Sequence, residues 1–461
     1  MFTENEWFIA PDVRKREIAG KTILLTIKTN RLLVLNKQAS IIWNQLTNGK
    51  KHGVTDIIKI LQSKYSATPH KILQRDVHNF LLDLQDKGFV YQNDKSLSRT
   101  SSSVDKKSNV SGHLSFSEQL HHLAVQYNIP VAGTLEITQR CQLKCIHCYL
   151  DDRPIDKTKE LSTEEIHKLL QQMVKSGCLW LLITGGEPLI RSDFCEIYRY
   201  AKDLGMIITV FTSATNITER IADLFCEYPP FLIEATLHGA TEKTFDSISR
   251  TPGAFKQFQK GIQLLQKRKV SFHLKTIVMK QNFNEVEATR QLAIDMGAEN
   301  FRFDPMINAD FFHSSKALDL RISVEDALKL DMLEPYRIHW ERIYRTAIKK
   351  RRIYRFSDKL LFPCRAGKCS FAISSDGRLL PCILIRVPYY DLRETLFMDA
   401  WREMNRFTTI TKMREDNQCL RCSVQTCSKC PAWGYLEHGD LNTKSWFACA
   451  LQREREKTFL K

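Results

Sequence analysis

Apolar residues in the N-terminal part of the chain recur at steps of three and four, which is the period of an amphipathic helix. Two apolar runs, 21–29 and 31–36, come before this pattern and meet at Asn30. They predict an antiparallel strand pair, and 88–90 predicts a short final strand. The positions that define the three predicted helices are Ile41, Ile42, Leu46, Ile57, Ile58, Leu61, Val77, Phe80, Leu81 and Leu84.

From residue 134 onward the pattern changes to apolar runs that alternate with amphipathic helical segments. Such alternation is typical of an α/β fold in which helices join parallel strands. The repeats are expected to close partly into a barrel, whose functional residues gather at the C-terminal ends of the strands. The predicted strands are 134–138, 179–184, 206–212, 231–237, 271–279 and 300–306.

In this part of the chain, capping signals mark the starts of predicted helices. Ser162 and Glu165 have the spacing of a capping box, and Leu161 and Ile166 are placed as its hydrophobic staple. The segment 216–219 is expected to repeat this arrangement. Both signals predict that a helix begins close to these residues.

A polar, serine-rich stretch at 93–103 has no apolar period and predicts a linker. A chain of 461 residues is long enough for several domains, each with its own core. We therefore divide it into an N-terminal domain at 1–93, a linker at 94–130, a barrel at 131–350 and a cysteine-rich domain at 351–461.

No apolar run approaches the roughly 20 residues of a membrane span, and the first residues lack the basic and apolar regions of a signal peptide. These observations predict a cytoplasmic protein without membrane contact. The chain contains 14 cysteines. In a reducing compartment so many thiols indicate metal or redox chemistry rather than structural disulfides.

The formal net charge of +16 raises the alternative of a nucleic-acid partner. The basic residues are scattered, however, and the densest run, 349–352, has no aromatic residues between its charges. We interpret this run as the solvated end of a helix, although it could attract an acidic peptide. The charge pattern therefore argues against nucleic acid as the partner.

Cys141, Cys145 and Cys148 form the most specific chemical signal in the chain. They follow a predicted strand directly, and their spacing lets three thiolates hold three irons of a cubane while the fourth iron stays open. Zinc is the alternative, but zinc sites usually combine two paired CxxC hairpins into four ligands. Here the next cysteine along the chain is Cys178. The triad therefore favours a reactive iron–sulfur cluster.

The next predicted strand ends in Gly185, Gly186, Glu187 and Pro188. Glycines permit close approach of the backbone to a ligand, and a carboxylate beside them can pair with an ammonium group. Together with the cysteine triad, this motif resembles the radical S-adenosylmethionine (SAM) family. The resemblance implies a partial (β/α)6 TIM barrel, a 4Fe–4S cluster on the triad, and a GGEP motif that binds the amino group of SAM.

The same resemblance implies further contacts to SAM. The family pattern SLDG corresponds to 236–239, so that Thr236 stands where a serine holds the SAM carboxylate together with an arginine, here Arg250. Ser213, at the end of the third predicted strand, is a further candidate. We interpret His238 as a packing or hydrogen-bonding residue rather than a proton carrier. Three other cysteines lack ligand spacing and are expected to be buried core residues: Cys178, Cys195 and Cys226.

The N-terminal order of a strand pair, three helices and a last strand resembles the PqqD-like recognition element of ribosomally synthesised and modified peptides (RiPPs). That domain is a winged helix that binds a leader peptide as an added strand at a sheet edge. The resemblance implies that the edge lies within 21–36. Winged helices also bind DNA, but the segment 75–80 is mixed in charge and lacks a basic recognition helix.

The C-terminal region holds enough cysteines for two closed cubanes. Zinc ribbons are the alternative, because CxxC pairs also suit tetrahedral zinc. The order of the cysteines resembles the SPASM domain of radical SAM enzymes that modify peptides. In some relatives the residue at the position of Cys369 is missing and an iron stays open. By this resemblance the first auxiliary cluster is held by Cys364, Cys369, Cys382 and Cys430, and the second by Cys419, Cys422, Cys427 and Cys449.

Together these resemblances imply an enzyme with three 4Fe–4S clusters that binds a precursor peptide and modifies it through a 5′-deoxyadenosyl radical. A reductase, flavodoxin or ferredoxin would supply the electrons. The commonest reaction of enzymes with this layout is a thioether cross-link from a substrate cysteine to a carbon of another residue, as in sactipeptides. Carbon–carbon cross-links, a radical SAM enzyme acting on nucleic acid, and a non-catalytic iron–sulfur or zinc scaffold are the alternatives. The intact GGEP motif argues against the scaffold.

Overall fold

The N-terminal part of the chain is a small unit of two short sheets and three helices. The computed structural model describes residues 6–47, 54–92, 117–150, 157–351 and 359–460. The elements of this unit are β1 (Trp7–Ile9), β2 (Val13–Ile18), β3 (Lys21–Thr26), β4 (Leu32–Leu35), α1 (Lys37–Thr47), α2 (Val54–Lys64), α3 (His70–Asp86) and β5 (Val90–Gln92).

The predicted strand pair and the three helices are present in this unit. Strand β3 lies between β2 and β4 in an antiparallel sheet, and β5 pairs with β1. The turn residue Asn30 has a positive φ of 51°. Strand β2 was not predicted, because four of its six residues are charged and the strand lacks an apolar run.

The central part is an α/β unit whose six strands run parallel in the order β6 to β11, as the alternation predicted. Helices connect consecutive strands. The elements are α4 (117–126), β6 (Ala132–Thr138), α5 (Thr163–Lys175), β7 (Trp180–Gly185), α6 (Phe194–Asp203), β8 (Ile207–Thr212), α7 (Glu219–Glu227), β9 (Leu232–Thr236), α8 (Glu242–Ser249), α9 (Ala254–Lys267), β10 (His273–Ile277), α10 (Val286–Asp295), β11 (Asn300–Asp304), α11 (Val324–Asp331) and α12 (Tyr336–Arg351).

Three further strands extend this sheet to nine. Strand β12 pairs in parallel with β6, and β13 and β14 continue from it in antiparallel. The sequence did not predict this extension, because these strands are short and lie far from β6 along the chain. The C-terminal elements are β12 (Ser370–Ile373), β13 (Arg378–Leu380), β14 (Tyr390–Asp391), α13 (Phe397–Ile410), α14 (Pro431–His438) and α15 (Trp446–Phe459).

The two faces of the parallel strands have different surroundings. Leu135 and Ile137 of β6 belong to the main apolar core that the helices cover. Because successive side chains alternate across a strand, Thr134, Glu136 and Thr138 lie on the opposite side. We call this side the open face.

The N-terminal unit is fixed to the central unit by an apolar cluster and by two buried cations. The guanidinium of Arg16 donates to the carbonyl oxygens of Cys178 and Val174, at 2.7 and 2.9 Å. Nζ of Lys202 donates to Asn30 Oδ1 at 2.7 Å and to a main-chain carbonyl at 2.9 Å. The apolar cluster contains Ile18, Ile23, Leu25, Leu120, Ala124, Val131, Leu179, Ile207 and Cys369.

The predicted linker contains helix α4 towards its end, whereas 94–116 lies outside the described residues. Two buried side chains of α4, Leu120 and Ala124, take part in the apolar cluster between the units. Residues 349–351 of the basic run are the last residues of α12, as predicted for a helix end, and 352 is not among the described residues. No helix among those residues is long and apolar enough to span a membrane.

Two local predictions need correction, and one is confirmed. Ser162 caps α5 in a complete capping box with Glu165, as expected. Asn216 does not cap α7: the N-cap is Thr218, whose side chain accepts from the backbone N–H of Ile221. Thr218, which is two residues nearer the helix than Asn216, supplies the side-chain acceptor oxygen instead. Cys178 and Cys195 are buried, but Cys226 is exposed near the end of α7.

Candidate active site at the C-terminal ends of the strands

The loop that carries the cysteine triad is anchored at both sides. It leaves β6 after Thr138, and Leu143 packs into the main core. The backbone N–H groups of Lys144 and Ile146 donate to the carbonyl oxygens of Ser249 and Ile248, at 3.0 and 2.9 Å. Those carbonyls belong to the last turn of α8, where main-chain acceptors lack partners within the helix. The end of α8 thus holds the cysteine loop in place.

The two glycines at the end of β7 pack against the start of the same loop. Gly185 has a φ of 139°, a conformation that residues with a side chain rarely adopt. A Cβ on Gly185 would overlap the carbonyl oxygen of Thr138, and one on Gly186 would overlap that of Arg140. The N–H groups of Gly186 and Glu187 donate to these same oxygens, at 2.8 and 2.9 Å. The glycines therefore allow β7 to approach the backbone that leads into the cysteine triad.

Glu187 is completely buried, and its carboxylate accepts four hydrogen bonds. One oxygen accepts from the backbone N–H of Leu189 at 3.1 Å and from the Thr212 hydroxyl at 2.7 Å. The other accepts from the N–H and the hydroxyl of Ser213, at 2.6 and 2.5 Å. Burial raises the pKa of Glu187, and these donors act in the opposite direction. The carboxylate thus ties the end of β7 to the end of β8.

Ser213 is also linked to the cysteine loop. The side-chain amide of Gln142 donates to the Ser213 hydroxyl at 3.2 Å and to the Thr215 hydroxyl. The two hydroxyls lie 2.8 Å apart. Gln142 and Thr215 were not predicted, because single polar residues in loops give no spacing signal. Through them, the predicted residues Glu187 and Ser213 become part of one network with the loop between Cys141 and Cys145.

The three thiols of the triad influence one another. Desolvation raises the pKa of Cys141 to about 12, with smaller contributions from the charges of Glu187 and Cys148. Desolvation also raises the pKa of Cys145, and the charges of Cys148 and Cys141 add to this effect, while Arg250 opposes it. Three thiolates so close together are stabilised when they bind a metal centre, which releases their protons. This donor set fits a site for an iron–sulfur cluster.

His238 lies directly against this set. Its Nε2 is 3.5 Å from the sulfur of Cys145. The ring packs edge-on against His147 and Phe245, with centroid distances of 5.4 and 4.9 Å. Burial lowers the pKa of both histidines, that of His147 to about 4. These contacts agree with the interpretation of His238 as a packing or hydrogen-bonding residue, although the sequence did not identify Cys145 as its partner.

The two residues expected to hold the SAM carboxylate lie at the same end of the sheet. Thr236 is the last residue of β9. Arg250 follows α8 in the left-handed conformation, with a φ of 48°, and is exposed. Its positive charge acts on the Cys145 thiol. Arg250 therefore lies near the cysteine loop.

A buried ion pair lies on the open face and was not predicted. Both terminal nitrogens of Arg386 donate to the carboxylate of Glu136, at 2.8 and 2.9 Å. The guanidinium lies 3.8 Å from the centroid of Phe311, which contacts Tyr149 edge-on. Burial raises the pKa of Tyr149, whose hydroxyl also experiences the charges of Glu136, Cys148 and Cys382. Because Glu136 and Arg386 are 250 residues apart, sequence spacing could not reveal the pair.

The cysteines of the first predicted auxiliary set come from three segments, and Cys364, Cys382 and Cys430 pack against the same apolar cluster. Burial raises the pKa of Cys430 to about 12, and the charges of Cys364 and Cys382 raise it further. Burial also raises the pKa of Cys369, to about 11, and Cys364 adds to the shift. Cys369 is completely buried and packs in the apolar cluster beside the N-terminal unit. Cys364 is thus the neighbour that these cysteines share.

The cysteines of the second predicted set also influence one another. Desolvation raises the pKa of Cys449 to about 11, with additional effects of the charges of Cys419, Cys427 and Cys422. Cys449 therefore interacts electrostatically with each of the other three cysteines. Among the residues that the structure describes, no three His, Cys, Asp or Glu side chains converge closely enough to hold a single metal ion. The cysteines of a cubane each bind a different iron, so a cluster site does not require such convergence.

Comparisons with known proteins agree with this architecture. Residues 135–293 match the family described as the radical SAM superfamily, and residues 21–90 match coenzyme PQQ synthesis protein D (PqqD). The AdoMet-dependent heme synthase of Methanosarcina barkeri is 27% identical over 332 residues, which cover 68% of this chain and 94% of the relative. The antilisterial bacteriocin subtilosin biosynthesis protein AlbA of Bacillus subtilis is 26% identical over 317 residues, or 67% of each chain.

A solved structure shares the fold over nearly the whole chain. Streptococcus suis SuiB bound to the precursor peptide SuiA superimposes with a TM-score of 0.57 at 16% identity, covering 96% of this chain and 99% of SuiB. The match includes the N-terminal unit as well as the parallel sheet and the C-terminal region. The two family matches assign a PqqD domain and, after it, a radical SAM domain to this chain.

Proposed function

We propose that this protein is a radical SAM enzyme that modifies a ribosomally made precursor peptide, most specifically by forming a thioether from a substrate cysteine to a carbon of another residue. One observation carries the proposal: the cysteine loop and the Gly185–Pro188 motif meet at one end of the sheet, in a chain whose residues 21–90 match PqqD. A SAM site and a peptide-recognition domain in one chain fit peptide maturation.

The proposal divides the chain as the sequence suggested. Residues 1–93 would be the winged-helix leader-recognition domain, 94–130 the linker, 131–350 the partial barrel and 351–461 the SPASM domain. The continuous sheet through β6 and β12 supports a close association of the last two domains. The barrel would be open on the side of β11, which has one strand neighbour among the described residues.

Radical SAM enzymes use a 4Fe–4S cluster and SAM. Here Cys141, Cys145 and Cys148 would hold the cluster, which when bound supplies the electron that cleaves SAM to a 5′-deoxyadenosyl radical. The network of Glu187, Ser213 and Gln142 would fix the loop and the GGEP backbone around the amino group of SAM. Thr236 and Arg250 would hold its carboxylate.

The remaining cofactors and the electron source complete the proposal. Two auxiliary 4Fe–4S clusters would be held by the two C-terminal cysteine sets, with Cys369 as the fourth ligand of the first. The electrostatic effects of these cysteines on one another support this assignment. A reductase, flavodoxin or ferredoxin would deliver the electrons. On the open face, the pair of Glu136 and Arg386 would exclude water and shape the space that receives the peptide.

The leader would bind to the N-terminal unit as an added strand. Strand β3 is central, so the outer edge within 21–36 is β4 alone. Strand β2, at the other side of the sheet, directs Arg16 into the contact with the central unit. Strand β4 is thus the edge that an extended peptide could join through main-chain hydrogen bonds.

Heme synthesis is the second candidate, because three of the relatives are AdoMet-dependent heme synthases. They match 66 to 68% of this chain. The N-terminal PqqD match favours a peptide over a porphyrin. Carbon–carbon cross-linking uses the same residues, and a precursor without cysteine would favour it. A nucleic-acid substrate would instead require binding that weakens steeply with salt.

The test is an anaerobic assay of the reconstituted protein with SAM, a reductant and the small peptide encoded beside its gene. Mass spectrometry should show loss of two hydrogens per linkage, and the substrate cysteine should resist alkylation. The matched control replaces Cys141, Cys145 and Cys148 by alanine and should form no 5′-deoxyadenosine. Formation of heme in a parallel assay, with the peptide unchanged, would replace the peptide proposal by the second candidate.

A further inference from the structure

His238 is held in one orientation by its surroundings. Its ring lies between those of His147 and Phe245, and both contacts are edge-on. The side-chain amide of Asn282 donates to the carbonyl oxygen of His238 at 2.8 Å and fixes its backbone. Only 3% of the residue is exposed. The ring therefore has little freedom to turn away from Cys145.

The two ring nitrogens have different environments. Nε2 is 3.5 Å from the Cys145 sulfur, whereas Nδ1 is buried without a hydrogen-bond partner. A thiolate can only accept a hydrogen bond, so that the favourable contact places the hydrogen of the neutral imidazole on Nε2. In the resembling SLDG pattern this position is a carboxylate, which could not donate.

We propose that His238 is a positioning residue that donates an Nε2–H···Sγ hydrogen bond to Cys145 and thereby raises the reduction potential of the cluster held by Cys141, Cys145 and Cys148. This inference rests on the proposed function. A reduced cluster carries one more negative charge than an oxidised one, so a donor to a ligand sulfur stabilises the reduced form more. Hydrogen bonds around ligands are known to tune metal centres in this manner.

The experiment is a redox titration of the full-length protein with all clusters reconstituted, followed by electron paramagnetic resonance. The cluster on the triad is identified as the signal that changes when SAM is added. His238→Leu removes the donor. At the potential where half of the wild-type cluster is reduced, the ratio of reduced to oxidised cluster should fall about tenfold, which corresponds to about 59 mV for one electron.

Two controls separate this effect from a structural one. His238→Gln keeps an N–H donor at about the place of Nε2 and should restore most of the ratio. The auxiliary clusters serve as internal references, and their midpoints should not move. An unchanged midpoint of the SAM-responsive cluster in His238→Leu would overturn the inference alone. A wild-type protein without any SAM-responsive cluster would overturn the proposed function as well.

A second measurement tests the hydrogen bond directly in the wild-type protein. In the wild-type protein labelled with 15N-histidine, pulsed electron paramagnetic resonance of the reduced cluster should detect a weakly coupled histidine nitrogen. This coupling should be lost in His238→Gln. Absence of any histidine coupling in the wild-type protein would contradict a hydrogen bond to Cys145. This result would hold even if His238→Leu failed to fold.

Discussion

The Glu187 carboxylate shows how one residue combines a predicted motif with an unpredicted network. The motif located Glu187 at a strand end, but its partners Thr212 and Ser213 lie at the end of the next strand, 25 and 26 residues away. A sequence pattern does not show which loops a carboxylate joins. For the same reason the contact between His238 and Cys145 was missed, although both residues were singled out.

Glu187→Gln should therefore destabilise the site. The substitution replaces one of the two acceptor oxygens by an NH2 group. In either orientation of the amide, this NH2 faces a backbone N–H, that of Leu189 or that of Ser213, which can only donate. A buried donor without a partner costs about 1–3 kcal/mol. We expect SAM affinity to fall about tenfold or more, measured by isothermal titration calorimetry. Glu196→Gln, an exposed carboxylate on α6, is the control. Unchanged SAM binding in Glu187→Gln would refute the role of the network.

Cys369 provides a second test for a single residue. If it closes the first auxiliary cluster, Cys369→Ala should lower the iron content of the reconstituted protein by up to about four atoms per chain, because a cubane that loses a ligand is less firmly held. Iron and sulfide analysis measures this change. Cys195→Ala removes another buried cysteine that lies outside both sets. Full iron content in Cys369→Ala would mean that an iron of this cluster is open.

At the scale of elements, apolar periodicity identified the strands and helices reliably where each had its own pattern. All six parallel strands of the central unit and the three N-terminal helices were predicted in this way. Strands β2 and β12 were missed for different reasons. Strand β2 uses charged side chains such as Arg16 to contact another unit, and β12 gains its stability from pairing with β6 rather than from its own four residues.

Strand β4 permits a specific test of leader binding. The backbone N–H of Thr26 in β3 donates to the carbonyl oxygen of Arg31. Main-chain groups alternate in direction along an antiparallel strand. With this register, the backbone N–H of Val34 points away from β3. Val34→Pro would remove this outward donor while leaving the β3–β4 ladder in place. We expect leader affinity to fall about tenfold in fluorescence anisotropy.

Val34→Ala is the matched control for this change, because it shortens the side chain but keeps the N–H group. Its leader affinity should stay closer to that of the wild-type protein. Equal affinity of Val34→Pro and the wild type would show that the leader does not add to β4.

At the scale of the whole molecule, the buried side chains of Arg16 and Lys202 form hydrogen bonds that join the N-terminal unit to the central unit. Lys202 is 1% exposed, and burial lowers its pKa to about 7. In the unfolded chain its pKa returns to the usual range, so the unfolded state binds more protons between about pH 7 and about pH 10.5. This lysine therefore makes the stability of the folded protein increase with pH across that window.

Comparison with Lys202→Met isolates this contribution. Between about pH 7 and about pH 9, the wild-type protein should gain about 1–2 kcal/mol relative to the variant, measured by denaturant unfolding under anaerobic conditions. At lower pH the difference should level off, because the lysine is then protonated in both states. Parallel pH dependence of the two proteins would show that Lys202 keeps an ordinary pKa in the fold.

The parallel pairing of β12 with β6 has a consequence for the order in which the molecule is made. During synthesis the N-terminal parts of a chain leave the ribosome first. Strand β6 and the cysteine loop emerge more than 200 residues before β12, and Arg386 reaches Glu136 later still. Until then one border of the nascent sheet is uncovered. The cellular machinery that delivers iron and sulfide would thus meet the triad before β12 pairs with β6 and Arg386 reaches Glu136.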